Sequence, residues 1–230
     1  MHIPDGFLNP KYSSGLLGLA LGVLGYCFGK VMKAVTAVVP QRVMAAAGNA
    51  LGNIQMGGKR VLTQMGEGKI HTMGVVAAWV FSAQMFNFPI NSGTSGHLIG
   101  GVFASVLLGP FAGTIVIAVV LLIQSLLFAD GGIMALGANI INMAVLGSLV
   151  SYYIFSGLKR IVPETLAIVF TSWLSVMMAA FACSLEIGLS GTISLPSVTT
   201  AMMRVHSIIG VAEALITLLL LKIYRKSDQS

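Results

Sequence analysis

Charge is what this sequence has least of. Asp, Glu, Lys and Arg make up 9% of its 230 residues, against about 25% in soluble domains. With 56% hydrophobic residues and a mean hydropathy of +0.92, an ordinary soluble fold is excluded. The apolar residues come in long runs without strand-like alternation, which excludes a barrel and leaves a helical bundle. Cysteine is scarce too: Cys27 and Cys183 both sit in apolar runs, so neither a disulfide framework nor a Cys-rich metal site is available. There is no nucleophile elbow, P-loop or HExxH, and no carboxylate pair at a hydrolytic spacing, so the chain does not hydrolyse ATP by itself. A charged start running directly into an apolar core and a cleavage site is missing, so no removable signal peptide is expected.

What is present begins at the first ten residues, Met1-His2-Ile3-Pro4-Asp5-Gly6-Phe7-Leu8-Asn9-Pro10. A free amine at Met1, the His2 amide and the His2 imidazole can close two adjacent chelate rings on one metal ion. Loss of the amide proton flattens the set, and a fourth nitrogen completes a square plane, the geometry that suits Ni(II) or Cu(II). Pro4 and Pro10 stiffen the run. The plainer alternative is an ordinary histidine near a frayed terminus.

Apolar segments then follow at about 13–31, 72–88, 97–108, 111–129, 133–156, 165–187 and 205–221. They predict an all-α membrane protein, one transmembrane domain over 1–230 with about seven transmembrane helices, including a metal-chelating segment at 1–12. Segment 97–108 is too short to span comfortably; it either extends through Gly109-Pro110 or is shielded by its neighbours. Residues 31–70 hold no apolar run of about 20 and read as a cytosolic connection with some short helix. Gly15, Gly18, Gly22, Gly25 and Gly29 fall along one face of the first segment, either for packing inside this chain or as a docking face for another membrane subunit. The net charge of +6 is better explained by loop placement than by nucleic acid. With the N-terminus outside and the C-terminus cytosolic, only Lys11 and Arg204 of the 13 basic residues lie outside, as the positive-inside rule favours.

That topology places His2, His97 and His206 at the outer side, so His97 or His206 is the candidate fourth ligand. His97 ends a Gly/Ser/Thr turn that includes Ser95; His206 could equally be interfacial. His71 reads as an interfacial structural residue. Asp5 and Asp130 lie in outer turns. Glu213 is deep in the last segment, on the same face as His206, and is a functional candidate by depth or a structural carboxyl paired with Asn139 or Asn142.

Four stretches carry a resemblance: residues 1–8, Phe81-Ser82-Ala83-Gln84-Met85 through Gly93-Thr94-Ser95-Gly96-His97-Leu98, Phe128-Ala129-Asp130-Gly131-Gly132 through Leu136-Gly137-Ala138-Asn139, and Ile209-Gly210 with Glu213-Ala214-Leu215-Ile216-Thr217. Together the sequence resembles the CbiM/NikM family, substrate-specificity subunits of energy-coupling factor (ECF) transporters for nickel or cobalt. The resemblance implies seven helices, an N-terminus folded back from outside, and a planar site made by the Met1 amine, the His2 amide and imidazole, and the His97 imidazole. Implied partners are a transmembrane coupling subunit, cytosolic ATPases and a small accessory membrane protein. Implied too are a prokaryotic inner (plasma) membrane and no cofactor beyond the transported Ni2+ or Co2+; between the two, a rigid square plane favours nickel. The connection at 31–70 looks longer than is usual for the family. Two rivals from other classes are a membrane metal sensor and a membrane-embedded metalloenzyme with Glu213 or Asp130 as base.

Overall fold

The computed structural model describes residues 2–40, 58–90 and 94–227; Met1 and residues 41–57 of the 31–70 connection lie outside them. Seven helices and two short hairpins make up the described chain. Helix α1 (Pro10–Val35) starts where Asn9 accepts a hydrogen bond from the Lys11 amide and Pro10 supplies a preset φ at the first position. Its buried residues are Ser13, Ala20, Cys27, Val31 and Val35, a narrow stripe. The glycines at 15, 18, 22, 25 and 29 are on the other side, where an added Cβ would meet nothing within 4 Å. Packing inside this chain therefore does not account for the glycine stripe; it is open surface.

Strands β1 (Thr36–Pro40) and β2 (Gly58–Leu62) pair antiparallel as a ribbon; the short helix expected within the connection falls on residues 41–57, outside the described residues, while 31–35 belong to α1. The Thr63 hydroxyl then accepts from the Gly66 amide and starts α2 (Gln64–Gln84), well before the apolar run at 72 suggested. Gly66 fits only without a side chain, since a Cβ would lie 2.1 Å from the Val35 carbonyl oxygen. Strands β3 (Phe88–Ile90) and β4 (Thr94–Gly96) form a second hairpin that leads straight into His97.

Helix α3 (Gly101–Leu108) has only 8 residues, about 12 Å of rise, against a hydrocarbon core of about 30 Å. It does not extend through Gly109, whose φ of +87° ends it before Pro110 opens α4 (Pro110–Leu127). Shielding by neighbours is the solution taken: a Cβ on Gly101 would strike the Gly147 carbonyl at 2.2 Å. Helix α5 (Leu136–Leu158) is widened to π-helical turns over Ile140–Val150. Helix α6 (Glu164–Leu189) packs along α7 (Leu195–Ser227) in the most extensive helix pair. Helix α7 starts about ten residues before the expected boundary because Pro196 is tolerated in a first turn. His206 is therefore inside a helix and fully buried, not interfacial.

Five helices, α1 and α4 to α7, are long and apolar enough to cross a membrane. The polar first half of α2, with Glu67, Lys69 and His71, keeps it out of that set. One end of the bundle gathers residues 2–9, the α4–α5 turn and the α6–α7 loop, joined by Asn9 to Ser190 and Thr192 to Phe7. The other end holds the α5–α6 turn with Lys159 and Arg160, and the Arg225–Glu164 ion pair at 2.8 Å.

Candidate metal site

The N-terminal segment is stitched down by its main chain. The Asn139 amide accepts from Ile3 N at 2.9 Å and donates to Ile3 O at 3.2 Å, while Gly132 N also donates to Ile3 O at 2.9 Å. Two residues on, Asp5 accepts from Met134 N at 2.8 Å and Ile133 N at 3.2 Å. Such pairing satisfies backbone groups that burial would otherwise leave costly, and it holds His2 at 3% exposure. The Asp130-Gly131-Gly132 turn has the glycines this demands. A Cβ on Gly132 would lie 2.3 Å from an Asp5 carboxylate oxygen, and one on Gly131, at φ +90°, would lie 3.1 Å from the His2 ring. Overpacking of this kind costs about 1–3 kcal/mol, and here it pushes on the segment that carries the site. Gly132→Ala is expected to bind nickel about tenfold more weakly, with residues 2–8 exchanging amide hydrogens faster; unchanged exchange there would show the turn to be irrelevant to the segment.

His2 and His97 meet face to face, ring centroids 4.4 Å apart and tilted by 35°. His2 Nδ1 lies 2.9 Å from Asp130 Oδ1, and His97 Nδ1 lies 2.7 Å from the Leu98 carbonyl oxygen. Carbonyls and carboxylates only accept, so both Nδ1 atoms carry the proton and both Nε2 atoms keep a lone pair. Both Nε2 atoms are buried and have no hydrogen-bond partner among the described residues, a cost that native interiors seldom leave uncompensated. Burial holds the His2 imidazole below its ordinary pKa, against the opposing Asp130 bond. For Asp130, burial pushes the carboxyl up, but the bond and charge of His2 outweigh it and leave it below the usual carboxylate range. Two neutral imidazoles beside an ionised carboxylate are suited to metal binding, which protonation would oppose.

The remaining sequence candidates divide. Asp5 and Asn139 hold the N-terminal segment, as above. Glu213 does not pair with Asn139 or Asn142. It accepts instead from the Ile99 amide at 2.9 Å and the Gly100 amide at 2.8 Å, and Asn142 donates to Glu186 at 2.6 Å. His206 donates Nδ1–H to the Met202 carbonyl at 2.8 Å, with Nε2 facing the place a Gly96 side chain would occupy. Ser95 is half-buried on β4, and His71 is exposed on α2, outside the cluster. Gln84 was not foreseen: fully buried, it donates to the Ile99 carbonyl at 2.7 Å. Its one sequence signal is a polar side chain closing an apolar helix. Among the described residues, no three His, Cys, Asp or Glu side chains converge as a metal site. The described side chains that meet here are two imidazoles, His2 and His97.

The sequence pattern of one family, described as CbiM, cobalt uptake substrate-specific transmembrane region, matches residues 2–230. The chain belongs to the CbiM family. Its relatives include a provisionally named fused nickel transport protein, NikMN, of Archaeoglobus fulgidus, 36% identical over 94% of this chain; the chain spans 63% of that protein's length. A provisionally named metal transport protein of Haloquadratum walsbyi is 35% identical over 94% of this chain and 86% of its own. The crystal structure of a truncated transition-metal transporter superposes with a TM-score of 0.81 at 29% identity, covering 99% of both chains. Five helices of this CbiM-family chain are long and apolar enough to cross a membrane, and the names of these relatives are those of metal transport proteins.

Proposed function

We propose that the chain is the metal-binding membrane subunit of an ECF-type uptake transporter for a divalent transition metal, with nickel favoured over cobalt. The observation that carries this is the facing pair of buried imidazoles, delivered by a stitched N-terminal segment and the β3–β4 hairpin, whose Nε2 atoms have no hydrogen-bond partner among the described residues. With metal–nitrogen bonds of about 2 Å, two adjacent imidazoles on one ion have ring centres roughly 4–5 Å apart. The Met1 amine and the His2 amide complete the plane. A chelate through the His2 amide closes a small ring only with Nδ1, which now faces Asp130. Capture therefore turns the ring about Cβ–Cγ and switches its tautomer: the proton leaves Nδ1, whose lone pair goes to the ion, and a proton is taken up at Nε2, which then donates to Asp130 with no net change in the imidazole's protons. The carboxylate then orients an imidazole ligand from behind. Gly131, with no side chain over the ring, leaves room for that turn.

Amide deprotonation favours Ni(II), whose square-planar preference rewards the field, over Co(II), which tolerates the plane with an axial ligand. Oxygen-seeking Mg2+ is rejected, while Cu(II) is excluded by its availability. Binding releases the amide proton and the amine proton, so affinity falls as pH falls. The His2 imidazole does not set that fall, because burial keeps it neutral to lower pH than free histidine. Between pH 7.5 and 6.5 nickel affinity should drop between tenfold and a hundredfold for one or two protons. Titrations in buffers of different ionisation enthalpy count those protons directly; pH-independent binding would contradict amide coordination.

The bundle end holding the site faces outside and the Lys159/Arg160 end faces the cytosol, following the positive-inside rule. The chain makes seven passes, the third built from extended residues 94–100 and α3. The exposed glycine face of α1 is the docking stripe for the transmembrane coupling subunit, whose cytosolic ATPase partners hydrolyse ATP; a small accessory membrane protein is a further partner. Calorimetric titration of the purified chain tests the reading. One Ni(II) should bind per chain, more tightly than Co(II), with no Mg2+ binding; equal affinity for Mg2+ would refute it.

A further inference from the structure

The loop that presents His97 is gripped from two sides by side chains that touch no metal position themselves. Glu213 on α7 accepts from the Ile99 and Gly100 amides with its two oxygens, at 2.9 and 2.8 Å. Gln84 on α2 donates to the Ile99 carbonyl at 2.7 Å. Both are buried, Glu213 at 2% and Gln84 at 0% exposure. Gly100 sits at φ +70°, with Val80 2.9 Å from where its Cβ would be, so the turn has little freedom to re-form elsewhere. The Leu98 carbonyl inside the gripped stretch in turn accepts from His97 Nδ1 and so fixes which nitrogen is free. One line of contacts thus runs from α7 and α2, through the 98–100 backbone, to the orientation of a single imidazole.

We propose that Glu213, seconded by Gln84, is the positioning residue for the fourth metal ligand: it fixes the 97–100 turn so that His97 Nε2 meets an ion held by the N-terminal segment. The inference rests on the metal-site reading above and adds to it the residue that makes His97 a ligand. A carboxylate suits the task because it offers two acceptors to two adjacent N–H groups; a glutamine there sets one of its own N–H groups against a backbone donor. Supporting residues behind a ligand typically change metal affinity by about 10–100-fold.

A double-mutant cycle in the intact chain tests the claim. Nickel titrations and visible spectra are recorded for native protein, Glu213→Gln, His97→Ala and the double variant, with thermal melts to confirm folding. Glu213→Gln alone should weaken nickel binding by about 10–100-fold and move the planar absorption band toward that of His97→Ala. In the His97→Ala background the same substitution should change affinity less than about twofold, because the ligand it positions is gone. An equal loss in both backgrounds, or none in the native one, overturns the proposal. If Glu213→Gln does not fold, Gln84→Leu takes its place in the cycle, with a smaller loss expected and the same two overturning results. Native affinity in His97→Ala would mean that the metal-site reading itself has failed, and the proposal with it. Affinity lost in His97→Ala but retained in Glu213→Gln overturns the proposal alone.

Discussion

Extending the chain by two residues before Met1 should abolish high-affinity nickel binding, with a loss of about a thousandfold or more, roughly 4 kcal/mol. The amine and the His2 amide are neighbours in one chelate, so the second is offered to an already bound ion at high effective concentration. Moving the amine two residues away breaks that ring and leaves imidazoles with one unassisted amide. Two residues are specified because a single one would place the histidine third, where an amine, two amides and an imidazole form a planar site of their own. The extension also meets packing limits, since Ile3 is fully buried and tied to Asn139 and Gly132. Calorimetry on the extended and native chains gives the result, and comparable affinity would remove the amine from the ligand set.

His97→Ala is the second large effect. It should cost about a hundredfold or more in nickel affinity and shift the absorption to longer wavelength, as water replaces a strong-field nitrogen. Its effect on stability should be small by comparison. The Nε2 of His97 is buried and has no hydrogen-bond partner among the described residues, so the substitution relieves an unsatisfied group, offsetting part of the lost packing and of the bond to the Leu98 carbonyl. A melting temperature within a few degrees of native beside a large loss of affinity is the signature of a residue kept for binding. A large fall in melting temperature with unchanged affinity would assign His97 to the core instead.

Much of this was legible in the residues because the bilayer enforces simple rules. Apolar runs located the long helices, and of the two readings left open for 97–108 the structure has the short helix that ends at Leu108. The offset of seven between His206 and Glu213 placed both on one helix face, and the structure has both facing the 96–100 stretch. What could not be read was which backbone groups those side chains meet. Glu213 was weighed against Asn139 and Asn142 because side-chain partners are visible in a sequence, whereas its real partners, the Ile99 and Gly100 amides, carry no residue signature. The start of α2 was hidden because a Thr63 cap and a polar first half give no hydropathy signal. The β1–β2 ribbon was hidden because its pairing joins segments far apart in the chain. The glycine stripe was recognised, but only the fold could tell open surface from internal packing.

Nickel K-edge X-ray absorption of the metal-loaded chain tests the central claim most directly. The account predicts a four-coordinate planar ion with nitrogen ligands only, shown by the strong pre-edge feature of planar Ni(II) and by imidazole outer-shell scattering from His2 and His97. A six-coordinate ion with mixed oxygen and nitrogen ligands, and no planar feature, would contradict it.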